Sequence, residues 1–277
     1  MNTTNITYIV ISGLGTDELI WDDIFNHISI SEPSKLIKIP FWHLLNYNKR
    51  EEVREKINNC VGAKMLLGWS VGSLLLVKYF KYFIQESIAT LLVSFTPRML
   101  EDDGYVGYKN IIFNKMKADL LEDKSKFLQK FIKNITSFSN NINRKNHLLN
   151  TALNIDTNAI LQGLHFLQLA DLRQELNDLL NQQDSVYAQK NTQNSAKKEN
   201  SHRIADKVYF LHGKKDSIMP FANFNLNKGA TRFTYIDNNN CTKMITNKIK
   251  LQCGHDVLFE EKELLANIIT TLLSKHC

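Results

Sequence analysis

The chain has 277 residues, 43% of them hydrophobic and 22% charged, with a net charge of +6 and a pI near 9.0. That is enough chain for one large α/β domain or a core with a satellite, and the composition excludes a disordered or low-complexity polypeptide. No run approaches the ~18 uninterrupted apolar residues of a membrane-spanning helix, and the basic balance favours an acidic partner without fixing a fold.

The N-terminal MNTTNITYIVISGLG lacks a basic lead, and its apolar run is confined to Tyr8–Ile11. It reads as a first strand closed by Gly13 and Gly15, not as a signal peptide. Lys35–Ile39, stopped by Pro40, reads as a second strand. Lys64–Leu67 is a third, and Ala89–Ser94, ending at Thr96-Pro97, a fourth. From Met99 to Leu176 the pattern is helical with no strand candidate, which predicts a helical cap over 99–176 inserted into a core of 1–98 and 177–277. Residues 181–203 are polar and nearly free of large apolar groups, as a surface loop would be. Lys207–Leu211, ending at His212-Gly213, and Arg232–Ile236, running into Asn238–Asn240, complete the strands. Glu260–Ser274 carries Leu264, Leu265, Ile268, Ile269, Leu272 and Leu273 at helical spacing and closes the chain as a packed helix. The alternation predicts an α/β fold: a mostly parallel central sheet with helices on both faces.

Cys60, Cys241, Cys253 and Cys277 show neither paired nor metal-type spacing, so free thiols in a reducing, cytoplasmic compartment are expected. No metal-ligand cluster and no nucleic-acid recognition motif appears. The expectation is a monomer without metal, cofactor, nucleic-acid or membrane partner.

The chemistry starts at KMLLGWSVGSLLLVKYF, residues 64–80, where a buried strand turns at once into a helix. A turn this tight leaves no room beside Ser70, hence Gly68 and Gly72, and it lifts a hydroxyl onto the tip of an elbow. A serine hydroxyl attacks only when a base takes its proton, and the base needs an acid to hold it. Asp216, in VYFLHGKKDSIMP, and His255, in LQCGHDVLF, follow in that order, each on a loop after a strand. Asp216 is also an ordinary turn residue, and His255 an ordinary cap for the last helix. Asp206 precedes its strand, Asp237 follows a later one, and Asp256 is too close to fold back on the histidine. The coincidence of order and placement selects Ser70, His255 and Asp216. The N–H of Val71 and that of Leu14, in Ser12-Gly13-Leu14-Gly15, are the candidate oxyanion donors.

Taken together, SGLG, GWSVG, SFTPRML, LQGLHFLQLADLRQEL, HGKKDSIMP and CGHDVLF resemble the α/β-hydrolases of the pimeloyl-[acyl-carrier protein] methyl ester esterase (BioH) type over nearly the whole length. Residues 161–176, with Ala170-Asp171-Leu172-Arg173, set this group apart from hydrolases in general. The resemblance implies an α/β-hydrolase fold with an inserted cap and hydrolysis of the methyl ester on pimeloyl-acyl carrier protein, a step toward biotin. It also implies that Trp21 and Phe131 line the substrate site, and that Lys126, Lys130, Arg144 and Lys145 contact the carrier. Ser12 stands where many relatives have His, and Ser73 where a second Gly often follows the elbow.

The charge pattern points the same way. Between Gly104 and Asn150 there are nine basic residues and three acidic ones. Within KSKFLQKFIK, Lys126, Lys130 and Lys133 share one helical face, opposite Phe127, Leu128, Phe131 and Ile132. A basic outer face over an apolar underside suits an acidic carrier and an acyl chain; the same pattern also describes a solvated basic helix. A general short-acyl carboxylesterase or thioesterase without a carrier is the rival enzyme, and a non-catalytic binding protein the rival class.

Overall fold

A computed structural model describes residues 5–28, 34–102, 105–182, 204–219, 232–236, 242–246 and 248–274. Of the expected polar loop at 181–203, residues 183–203 lie outside that set, as do Cys241 and Cys277.

The strands are β1 (Ile6–Ile11), β2 (Lys35–Ile39), β3 (Ala63–Trp69), β4 (Ala89–Val93), β5 (Val208–Gly213), β6 (Arg232–Ile236), β7 (Thr242–Thr246) and β8 (Lys248–Leu251). Six of them form one parallel sheet in the order β2-β1-β3-β4-β5-β8. β1, β4 and β5 are buried along their whole length, and all three read as continuous apolar runs because helices cover both faces of a parallel sheet. The order reverses at β1, so the crevice at the carboxyl ends of β1 and β3 is where such a sheet presents a site.

Three expectations are corrected here. β6 does not join the central sheet; it pairs antiparallel with β7 in a separate two-stranded ribbon. β8 was not anticipated, and it completes the main sheet beside β5. The closing helix begins after a break, as two pieces.

The helices are α1 (Asp22–Phe25), α2 (Phe41–Leu45), α3 (Tyr47–Asn58), α4 (Val71–Tyr79), α5 (Lys81–Glu86), α6 (Asn110–Glu122), α7 (Lys124–Ile135), α8 (Ile142–Asn154), α9 (Thr157–Leu169), α10 (Arg173–Asn181), α11 (Val257–Glu260) and α12 (Lys262–Ser274). α4 is buried on every side from Val71 to Val77, the consequence of a sequence that is apolar but for Ser73. Between β4 and β5 stands the block α6–α10. Three of its helices, α7, α8 and α9, start at side-chain caps: Asp123 accepts from the Lys126 N–H, Asn141 from the Arg144 N–H, and Asp156 from Asn158 and Ala159. α7 has the two faces its sequence implies, with Phe127, Leu128, Phe131 and Ile132 buried and Lys126, Lys130 and Lys133 exposed.

The block is fastened where the chain enters it and again between α9 and α10. Arg98 bridges to Asp171 across an antiparallel pairing (2.6 Å), Arg173 bonds Asp171 (2.6 Å) and Asp102 (2.8 Å), and Leu172 N–H donates to the Pro97 carbonyl. The Ala170-Asp171-Leu172-Arg173 stretch is therefore a structural seam. Its guanidinium groups hold the Asp171 carboxyl down at about 2.

Candidate active site

Ser70 lies between β3 and α4 with φ 56° and ψ −124°, a conformation costly for a residue with a side chain and typical of functional turns. The two glycines are there because backbone passes too close for anything larger. A Cβ on Gly68 would meet Ser73 Cα and N at 2.7 Å, and one on Gly72 would meet the Ser12 and Ile11 carbonyl oxygens at 2.6 and 2.7 Å. Ser73 is buried and its hydroxyl lies 2.6 Å from the Gly68 carbonyl and 3.0 Å from that of Val93, so it ties the elbow to β4. Ser12 Oγ accepts the Phe41 N–H at the start of α2.

His255 Nε2 is 3.0 Å from Ser70 Oγ, and its Nδ1 is 2.8 Å from Asp216 Oδ2. Asp216 sits in the loop after β5, its carboxylate wholly out of solvent. Its Oδ1 accepts the N–H groups of Ile218 and Met219, both at 2.8 Å. Burial by itself pushes this carboxyl up. The imidazoles of His255 and His212, the bond from His255 and the Met219 N–H outweigh it, so the group stays below its ordinary range and ionised. An ionised Asp216 accepts a hydrogen bond from Nδ1–H, which fixes the tautomer and leaves Nε2 as acceptor for the serine hydroxyl. His212, in β5, is fully buried, and burial lowers its pKa; its Nε2–H donates to the Met219 carbonyl at 3.1 Å, and the ring lies 3.5 Å from Asp216. The His255 ring packs on Trp69 (centroids 5.5 Å apart), and the Trp69 indole N–H donates to the His255 carbonyl at 3.0 Å.

Val71 is the first residue of α4, so its N–H has no partner within the helix. Leu14 lies in the loop after β1 and lines the same cavity as Ser70. That cavity has a volume of about 240 Å³. Its walls are apolar side chains of the helical block and the core: Met99, Phe113, Phe127, Phe131, Leu164 and Met219. Ser70, Tyr108, Asp119, Lys130 and Asn134 are its polar members. Such a volume lies below the ~300–1,000 Å³ of drug-sized sites and suits a short or medium acyl chain. A larger groove of about 740 Å³ between α4 and α9 contains no residue of the serine–histidine–aspartate set.

Phe131 lines the cavity as expected from the resemblance, but Trp21 does not. The indole of Trp21 is fully buried and donates to the Ile11 carbonyl at 3.1 Å, a packing role under β1. Arg144 is also displaced from its expected role: it is 6% exposed and spends its guanidinium on Asp256 and Asp23, so it is no free cation on the surface. Lys126 and Lys130 are exposed, and Lys145 is half-buried. Gly254 does not take a positive φ; its lack of a side chain matters because a Cβ would sit 2.8 Å from the Phe138 ring. Tyr108 was missed from sequence. It lines the cavity, donates to the Ser217 carbonyl at 2.7 Å, and burial and the Asp216 charge push its phenol up to about 12.

Among the described residues no group of three or more His, Cys, Asp or Glu side chains is placed to hold a metal, and no helix is long and apolar enough to cross a membrane.

No protein-family model matches the chain, and no curated protein sequence matches it significantly. Solved structures do. An esterase from Exiguobacterium antarcticum superposes with a TM-score of 0.71 at 16% identity, over 98% of this chain and 92% of that one. A hydrolase from Oleispira antarctica gives 0.67 at 12%, over 96% and 90%. The enol-lactonase from Burkholderia xenovorans gives 0.63 at 10%, over 99% and 94%. At these identities the likeness is one of fold, and the fold is that of the α/β-hydrolases.

Proposed function

We propose that this chain is a serine carboxylesterase, and the observation that carries the reading is the unbroken line Asp216–His255–Ser70 at the foot of an apolar cavity. Ser70 Oγ attacks the ester carbonyl while its proton passes to His255 Nε2. The N–H groups of Leu14 and Val71 receive the oxyanion, a contribution of the order of a hundredfold or more in rate for each such donor. Collapse of the intermediate expels the alcohol, which takes the proton from Nε2. Water then attacks the acyl-enzyme through the same base and frees the acid.

The finer reading is the methyl ester of pimeloyl-acyl carrier protein, with methanol as the leaving group. Three things support it: the whole-length motif resemblance, a cavity of acyl-chain size, and Lys126 and Lys130 on the outer face of α7, the latter at the cavity. The carrier would be gripped by Lys126, Lys130 and Lys145, without Arg144. The test compares wild type, Ser70→Ala and the pair Lys126→Glu with Lys130→Glu on that ester and on a free p-nitrophenyl ester. Activity of wild type on both, lost in Ser70→Ala, with the charge-reversed pair slowed only on the carrier substrate, is the expected result. Turnover of the free ester alone, indifferent to the lysines, leaves a general carboxylesterase and removes the carrier.

A further inference from the structure

The residue after the catalytic histidine is an aspartate that its own helix does not use. Asp256 is fully buried at the start of α11, and its side chain caps nothing there. Its carboxylate is gripped instead by Arg144, 112 positions earlier and part of α8. Arg144 Nε lies 3.1 Å from one oxygen and Nη2 3.1 Å from the other. The remaining arm reaches Asp23 at 3.4 Å, and the guanidinium lies 4.9 Å from the centre of the Phe259 ring. On the other side of His255, Phe138 from the α7–α8 turn covers Gly254 at a distance that admits no side chain. Lys215, beside Asp216, sits 5.3 Å over that same ring.

The helical block thus holds both neighbours of His255, while the core holds the His255 carbonyl through Trp69 (3.0 Å) and Ser94 (3.3 Å). A planar fork fixes a carboxylate in direction as well as distance. We infer that Arg144 is a positioning residue: through Asp256 it makes the alignment of His255 between Asp216 and Ser70 depend on the block being seated. A buried ion pair of this kind specifies a conformation more than it adds stability. The inference rests on the serine-hydrolase reading of the same site.

The experiment measures kcat and KM on p-nitrophenyl butyrate for wild type, Arg144→Met, Arg144→Lys, Phe138→Ala and Ser70→Ala. Rates are normalised to the sites titrated by a phosphonate, and the low-field NMR signal of the His255 Nδ1 proton is followed alongside. A displacement of about 1 Å at a catalytic group costs about a hundredfold. Arg144→Met is therefore expected to lose about 10- to 100-fold in kcat per titrated site with KM within about threefold, and to broaden the Nδ1 signal. Arg144→Lys, which keeps the charge without the fork, should fall between it and wild type. Phe138 is half exposed, so Phe138→Ala tests the same clasp without opening the core; a smaller loss confined to kcat is expected. Wild-type kcat per site in both Phe138→Ala and Arg144→Lys, with an unchanged Nδ1 signal, overturns the inference even if Arg144→Met fails to fold. Hydrolysis by Ser70→Ala at the wild-type rate overturns the underlying site reading instead.

Discussion

Gly72→Ala places one methyl group where α4 crosses the end of β1, and the structure sets the size of the effect. The new carbon would lie 2.6 Å from the Ser12 carbonyl oxygen and 2.7 Å from that of Ile11. Both are backbone atoms, so no side chain can swing aside. Comfortable contact starts near 3.5 Å, so the helix and the strand end must part by about 0.8–0.9 Å. Overpacking of this kind costs roughly 1–3 kcal/mol, and alanine returns up to about 1 kcal/mol through its better helix propensity. With that full return the net loss of stability is about 0–2 kcal/mol, well short of unfolding a typical domain. Catalysis should fare worse. Ser12 leads directly to Leu14, whereas Gly72 follows Ser70 and Val71, so the separation falls between the two proposed oxyanion donors. A misplacement of this order costs about a hundredfold. Urea unfolding would read the stability, and kcat on p-nitrophenyl acetate per titrated site would read the rate. A variant destabilised as described but within threefold of wild-type kcat would refute the placement of the oxyanion hole between Leu14 and Val71.

Two further outcomes are expected. Asp171→Asn should lower stability at neutral pH by about 1 kcal/mol, the linkage value of a carboxyl held near 2 being discounted because the side chain is about one-third exposed. Since the folded-state pKa is depressed, that contribution is present above the ordinary value of 3.8 and fades as pH falls toward 2, so urea midpoints of variant and wild type should converge over that interval. A constant gap between them would count against the ion-pair account. Phe131→Ala should enlarge the acyl cavity and move the preferred p-nitrophenyl ester to a longer chain, read as a change in the ratio of kcat/KM values; an unmoved preference would show that acyl chains do not lie along α7.

Much of the site was legible because its signals are local. A glycine on either side of Ser70 follows from backbone crowding, and Asp216 and His255 each stand just beyond a strand. The middle of the parallel sheet was legible because β1, β3, β4 and β5 are nearly unbroken apolar runs. β7 and β8 were not, since Thr-Lys-Met-Ile-Thr and Lys-Ile-Lys-Leu mix lysine into short alternating stretches in which the period-2 signal is faint. Counting β6 into the main sheet followed from extending the βα rhythm past the point where an antiparallel ribbon replaces it. Trp21 and Arg144 failed for another reason. A residue's type and its position in a motif do not reveal a partner such as the Ile11 carbonyl or the Asp256 carboxylate. The basic helical pattern around Arg144 reads as solvent-facing until α8 is seen lying against α11.

The seam at Arg98 and Asp171 has a consequence for how such a molecule can change over generations. These residues are 73 positions apart yet bonded to each other, so the long excursion between them leaves the sheet and returns at a single point. To the rest of the chain, those helices are one loop closed at its ends: replacing them with a shorter or longer segment alters little in the entropy of joining β4 to α10. The core can therefore keep Ser70, Asp216 and His255 while the walls of the cavity are exchanged, provided the new segment still supplies contacts like those of Arg144 and Phe138 on either side of His255. A graft made at Arg98 and Asp171 would carry a new substrate preference across a cut of only two peptide bonds.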